Sequence, residues 1–157
     1  FSSRRIRMKR ISEKSYVVVM LSLLLCFVTL LGGCAPKAVL PEVWDNAVYT
    51  SDTTVGEGAK TVKLYVTAAE NTVVLTVRTD AEKLGDALLA LNLISGDSSE
   101  YGLYVKVVNG MTADYDTDGS WWCFNKVAAD GTREMMPVGV DGAVIADGES
   151  YELAMTK

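Results

Sequence analysis

The stretch TVKLYVTAAENTVVLTVR, residues 61–78, decides the fold. Successive side chains of a strand point to opposite faces, so Val62, Leu64 and Val66 form one face while Lys63 and Tyr65 form the other. The second run repeats the pattern, with Val73, Leu75 and Val77 turned inward. Only AAEN separates the two runs. Two alternating segments joined this tightly predict an antiparallel hairpin with one apolar and one mixed face.

Downstream the period changes. Thr79 with Glu82 three residues later fits a capping box. Leu84, Ala87, Leu88 and Leu91 then recur at helical spacing, and Gly96 is the expected stop after Ile94. The rest returns to strands. Residues 102–110 set Leu103, Val105 and Val107 against Tyr104, Lys106 and Val108. Residues 121–125 set Trp122 and Phe124 against Trp121 and Cys123. Residues 138–148 carry two Asp-Gly turn signals, and Tyr151, Leu153 and Met155 share a face at the end of the chain. A hairpin, a helix and then several strands predict an α+β domain over residues 59–157, a β-grasp-like small mixed sheet with one helix across one face.

Upstream, residues 34–58 lack sustained periodicity and carry Pro, Gly, Ser and Thr, which predicts a tether. Fully extended, such a segment reaches about 80 Å at about 3.3 Å per residue. Its AVLPEVW portion is apolar enough to dock on the domain. Residues 1–33 read as an export signal: Met8 is the expected start, MKRISEK is a basic region, and residues 16–31 are almost wholly apolar. The LGGC that follows, residues 31–34, resembles the lipobox of bacterial lipoproteins. That resemblance implies diacylation of Cys34 and a mature chain beginning there. Two acyl chains suffice for stable anchoring, so the expected location is the outer face of the bacterial cytoplasmic membrane.

Composition excludes several classes of function. Six of the 15 basic residues and one of the 20 acidic residues precede residue 34, leaving nine and 19 and a net charge of −10. Such a surface repels phosphate backbones, so no nucleic-acid partner is expected. The chain has no His, which removes imidazole acid–base chemistry and histidine metal sites. Of three Cys, Cys26 leaves with the signal and Cys34 is acylated, so Cys123 has no partner for a disulfide. With no His to activate it and acidic surroundings to keep it protonated, Cys123 reads as a small semi-buried residue. No spaced carboxylate pair marks a glycosidase. No catalytic residue and no cofactor are expected.

Residues 61–157 resemble a bacterial family of unknown function related to the C-terminal β-domain of transcobalamin and intrinsic factor. The resemblance rests on LGDALLA, on YGLYVKVVNGMTADYDTDGSWWCFN and on VGVDGAVIADGESYELAMTK. It implies an exported, often lipid-anchored domain of β-grasp type. The eukaryotic relatives bind a corrinoid between two domains, and these residues contain no counterpart of the helical one. Where that family ends the strand after the tryptophans in an Asn-Gly turn, this chain has the longer NKVAADGTREMM, residues 125–136.

Two sets of residues are candidates for a site. Asp114, Asp116 and Asp118 fit the first, third and fifth positions of an EF-hand calcium loop, and Gly119 its turn. The twelfth position, which calls for a bidentate Glu, is Asn125, and the flanking segments read as strands. An acidic connection is therefore the preferred reading, with calcium as the weaker alternative. The second set is aromatic. Tyr65, Tyr104 and Trp121 all point away from the expected helix, and on neighbouring strands they would form an exposed patch suited to a flat ligand or a protein partner. The expected function is that of a lipid-anchored binding module, not an enzyme, taking up a small cofactor-like ligand (a corrinoid by analogy) or serving a transporter. A structural or adhesive surface module docking protein or glycan is the alternative.

Overall fold

A computed structural model of the chain describes residues 39–157. The export signal and Cys34 lie outside the described residues. Nine strands and two short helices follow a 3-10 turn at Glu42–Trp44. The large sheet has six strands: β1 (Thr53–Gly56), β2 (Lys60–Ala68), β3 (Asn71–Thr79), β7 (Trp121–Val127), β8 (Arg133–Met135) and β9 (Ser150–Thr156). Their order is β1-β3-β2-β9-β7-β8. A second sheet contains β4 (Ile94–Ser99), β5 (Gly102–Val108) and β6 (Met111–Thr112) in sequence order. The helices are α1 (Leu84–Ala90) and the single turn α2 (Tyr115–Asp118).

The β2–β3 hairpin forms in the expected register, with Leu64 opposite Leu75 and Val62 opposite Val77. The C-terminal strand β9 inserts parallel to β2, pairing Tyr151 with Leu64 and Leu153 with Val66. This closes a mixed sheet whose apolar face carries Val62, Leu64, Val66, Leu75, Val77 and Leu153, each no more than 1 % exposed. Leu84, Ala87 and Leu88 of α1 and Ile94, Val108 and Met111 of the small sheet join the same core cluster. The helix and the small sheet thus cover one face of the large sheet, and the domain is α+β as the element order predicts.

Four expectations are corrected. The tether ends early, because the compact unit begins at Leu40 and the expected boundary at residue 59 falls inside it. Within it Trp44 is buried and its Nε1 donates to the Ala68 carbonyl at 2.9 Å, while β1 pairs parallel with β3. The capping box is absent: Thr79 ends β3, and its Oγ1 accepts from the Ala81 N–H. The helix starts after Lys83 because tertiary carbonyls meet its first donors, Ala143 O for Leu84 and Val140 O for Gly85. Those bonds satisfy orphan N–H groups that a side chain would otherwise cap. Nor is Gly96 a helix stop. It sits at a bulge in β4, where a Cβ would lie 1.9 Å from the Tyr104 carbonyl oxygen. Finally, β5 belongs to the small sheet instead of the large one, since the chain turns back at Asn109-Gly110 to form β6 beside it.

That turn also anchors the N-terminal segment. Asn109 and Gly110 have φ of 52° and 81°, the left-handed pair of a type I′ hairpin. The buried Asn109 side chain accepts from the Tyr49 N–H at 2.9 Å and donates to the Tyr49 carbonyl at 2.8 Å. Asn109→Ala leaves both Tyr49 groups unpaired and puts a less suited residue at positive φ. It is expected to lower the unfolding free energy by about 2 kcal/mol, measured by urea denaturation. Gly110→Ala adds a clash, since a Cβ there would lie 2.2 Å from the Asn46 carbonyl oxygen.

Candidate functional site

The face of the large sheet opposite α1 carries no covering layer among the described residues. Alternation assigns it Lys63, Tyr65 and Thr67 of β2, Thr72, Val74, Thr76 and Arg78 of β3, and Glu152 and Ala154 of β9. Trp121, Cys123 and Asn125 of β7 and Arg133 and Met135 of β8 complete it. Of the three aromatic candidates, Tyr65 and Trp121 are both on this face and both half-buried. They stand apart, because Tyr65 is level with Glu152 and Asn125 while Trp121 is opposite Thr156. Tyr104 does not join them. It lies in β5 of the small sheet, 47 % exposed, on the hairpin whose tip is the solvent-exposed Tyr101.

Between Tyr65 and Trp121 lies a polar cluster that alternation alone does not reveal. The Glu152 side chain is only 5 % exposed. Its Oε1 accepts from Arg133 Nε at 2.9 Å and from Thr67 Oγ1 at 3.0 Å. Its Oε2 accepts from Asn125 Nδ2 at 3.0 Å. Burial alone would raise the carboxyl pKa; the bonds from Asn125, Arg133 and Thr67 outweigh it and hold the group below the usual glutamate range. Arg133 reaches inward from the edge strand across β7. Its Nη1 donates to the Gly131 carbonyl at 3.0 Å, and its guanidinium lies 5.6 Å from the centre of the Tyr65 ring. That separation is within reach of a cation–π contact. Cys123 donates to Asn125 Oδ1 at 3.4 Å. Burial and the Glu152 charge push its thiol pKa up, which favours the protonated thiol.

Tyr65 also borders a hollow of about 370 Å³ on the β1 side, lined with Lys63, Thr54, Thr76, Val74 and Asp52. A second hollow, of about 720 Å³, lies at another place on the domain, between Val43, Glu70, Asp118, Met155 and Lys157.

The acidic connection has other business. Asp114 caps α2, accepting from the Asp116 N–H at 3.1 Å and Thr117 Oγ1 at 2.8 Å. Asp118 accepts from the N–H and hydroxyl of Ser120, and these two bonds lower its pKa. Gly119 ends the turn in the left-handed conformation. Among the described residues no three or more carboxylates or thiols gather about a common point.

The fold has relatives among solved structures. A crystal structure of a protein from Ruminococcus gnavus ATCC 29149, to which metal binding is ascribed, matches with TM-score 0.56 and 33 % identity, covering 63 % of this chain and 98 % of that one. Haptocorrin in complex with Cbi matches with TM-score 0.49 and 17 % identity, covering 66 % of this chain and 26 % of that one. No family model and no curated protein matches the chain. At that identity over nearly the whole of the Ruminococcus gnavus protein, the chain belongs to the same family as that protein.

Proposed function

We propose that the chain is an exported, lipid-anchored binding module and not an enzyme, and that the uncovered sheet face between Tyr65 and Trp121 takes up a small ligand. The observation that carries this is a built polar site on an unlayered face: a buried carboxylate, an arginine held in place by it, and an aromatic ring at either end. Support for the anchor comes from LGGC directly after the apolar run, with Cys34 as the acylated residue. No helix among the described residues is long and apolar enough to cross a membrane.

Metal binding is ascribed to the Ruminococcus gnavus relative. In this chain Asp114 and Asp118 accept hydrogen bonds from local N–H and hydroxyl groups.

Tryptophan fluorescence tests the ligand reading, because Trp44 and Trp122 are buried at 2 % and 7 % exposure while Trp121 is half-open. The full chain in detergent micelles, titrated with corrinoids as the first probe, is expected to show quenching that Trp121→Ala abolishes. The same substitution should change stability by less than about 1 kcal/mol, as befits a partly exposed site. Absence of both heat and quenching with corrinoids and with a wider panel of small molecules would remove the ligand reading. The hairpin bearing Tyr101 and Tyr104, exposed at 93 % and 47 %, favours a second reading, an adhesive or structural module docking protein or glycan. A partner captured from envelope extract and lost in Tyr104→Ala, with silence toward small molecules, would select it.

A further inference from the structure

On the reading that the open face is the binding face, we infer that it recognises an oxyanion, a carboxylate or a phosphate on a small ligand. The placement of charge carries the inference. From residue 34 onward acidic residues outnumber basic ones by 19 to nine. Yet the open face holds three of those nine cations, Lys63, Arg78 and Arg133, against a single strand carboxylate, Glu152. Glu152 is buried and bound to Arg133, so the charge that the strand residues of this face show to solvent is positive, with Asp52 from the segment before β1 as the acidic neighbour.

Two of the cations flank Tyr65. Arg133 is fixed by Glu152, by the Gly131 carbonyl and by the Tyr65 ring, which leaves its Nη2 without a hydrogen bond to the described residues. A guanidinium held this way presents its remaining donors without the ordering cost that a free arginine carries on binding. Lys63, two residues from Tyr65 along β2, borders the hollow with the hydroxyls of Thr54 and Thr76, and forms no ion pair among the described residues. Asp52 also lines the hollow, where its Oδ1 accepts from the Val74 N–H at 2.9 Å. The Lys63 ammonium and the Thr54 and Thr76 hydroxyls around a hollow of about 370 Å³, with the Arg133 guanidinium against the Tyr65 ring that borders it, suit a small anion with polar substituents. The acidic remainder of the surface disfavours large polyanions.

Calorimetry of the full chain in detergent micelles, with inorganic phosphate and with glucuronate in separate titrations and glucose as the neutral control, tests the assignment. A single saturable site is expected for at least one anion and none for glucose, with affinity falling as salt rises. Lys63→Gln and Arg133→Gln are each expected to weaken binding about tenfold, the size of one charge-assisted hydrogen bond. Lys106→Gln, which removes a cation from the small sheet, should leave binding unchanged. Lys63 is exposed and its variant keeps the fold, so the test survives if Arg133→Gln does not fold. Phosphate alone or glucuronate alone would identify which oxyanion is read. Saturation by neither anion, or equal affinity in Lys63→Gln, overturns the inference. If Trp121-dependent quenching by another ligand persists in that case, the binding-module reading stands without its anion.

Discussion

Trp44→Ala is expected to lower the unfolding free energy by about 3–5 kcal/mol, the usual cost of truncating a fully buried tryptophan. Trp44 is 2 % exposed and belongs to the core cluster with Val66 and Ala68. Its Nε1 bond to the Ala68 carbonyl ties the segment before β1 to the far end of the β2–β3 hairpin. Truncation would open a cavity there and leave that carbonyl without its donor. Trp44→Phe keeps most of the volume and loses the bond, so about 1–2 kcal/mol is expected. Urea denaturation of both variants measures the pair. A tether would behave otherwise, since a change in a solvated segment shifts stability by no more than about 0.5 kcal/mol. A Trp44→Ala protein as stable as the wild type would return residues 40–58 to that status. Hydrogen exchange adds a local reading: with Trp44 gone, β1 should lose protection before β2, because β1 is an edge strand held only by β3.

Docking through Trp44 was legible in the apolar AVLPEVW, while the ordering of the whole segment after it was not. The neighbours of Trp44 follow no period, and the 3-10 turn that places it is three residues long. Its burial comes from Ala68, 24 positions away. By contrast, strands β2, β3 and β9 were legible because an apolar face against a core imposes strict alternation, and each shows it. The Trp121/Trp122 pair was legible for the same reason, with Trp122 buried and Trp121 half-open. Strand β4 was not, since residues Ser95 to Ser99 are all exposed and carry no apolar face to read. Parity also says which way Tyr104 points within its strand without saying which sheet owns that strand. Glu152 shows the limit most sharply. Alternation turns it away from the core, which predicts exposure, yet β9 is interior to the sheet and an arginine from β8 closes over it. A lone Glu between Tyr151 and Leu153 in a strand near the middle of the sheet was the available signal. Its partner sat in a segment that read as a turn.

That closure makes Arg133→Gln the second large effect, and one that reverses the local response to acid. In the wild type, burial opposes ionisation of Glu152, but the bonds from Asn125, Arg133 and Thr67 prevail and keep its pKa below the ordinary value of 4.5. The unfolded chain then binds the proton more readily than the folded one. Glu152 therefore stabilises the fold above the ordinary value, and the benefit is lost as pH falls through its folded pKa. Without the guanidinium, burial remains while the strongest opposing charge is gone. Tyr65, Cys123, Thr67 and Asn125 still face the carboxylate, and none of them supplies positive charge. The Glu152 pKa should rise above the ordinary value, so the folded state becomes the better proton acceptor. Stability at neutral pH is expected to drop by about 3 kcal/mol, the lower end for stranding one member of a buried pair, since Arg133 itself is 43 % exposed. Acidification from neutral pH toward the ordinary glutamate value should then recover part of that loss. Urea midpoints for wild type and variant across this window, taken as differences to cancel the other carboxylates, measure the effect. Arg133→Gln combined with Glu152→Gln should remove the pH dependence and much of the penalty together. A difference between wild type and Arg133→Gln that stays constant with pH would mean that Arg133 acts through packing and not through the Glu152 charge.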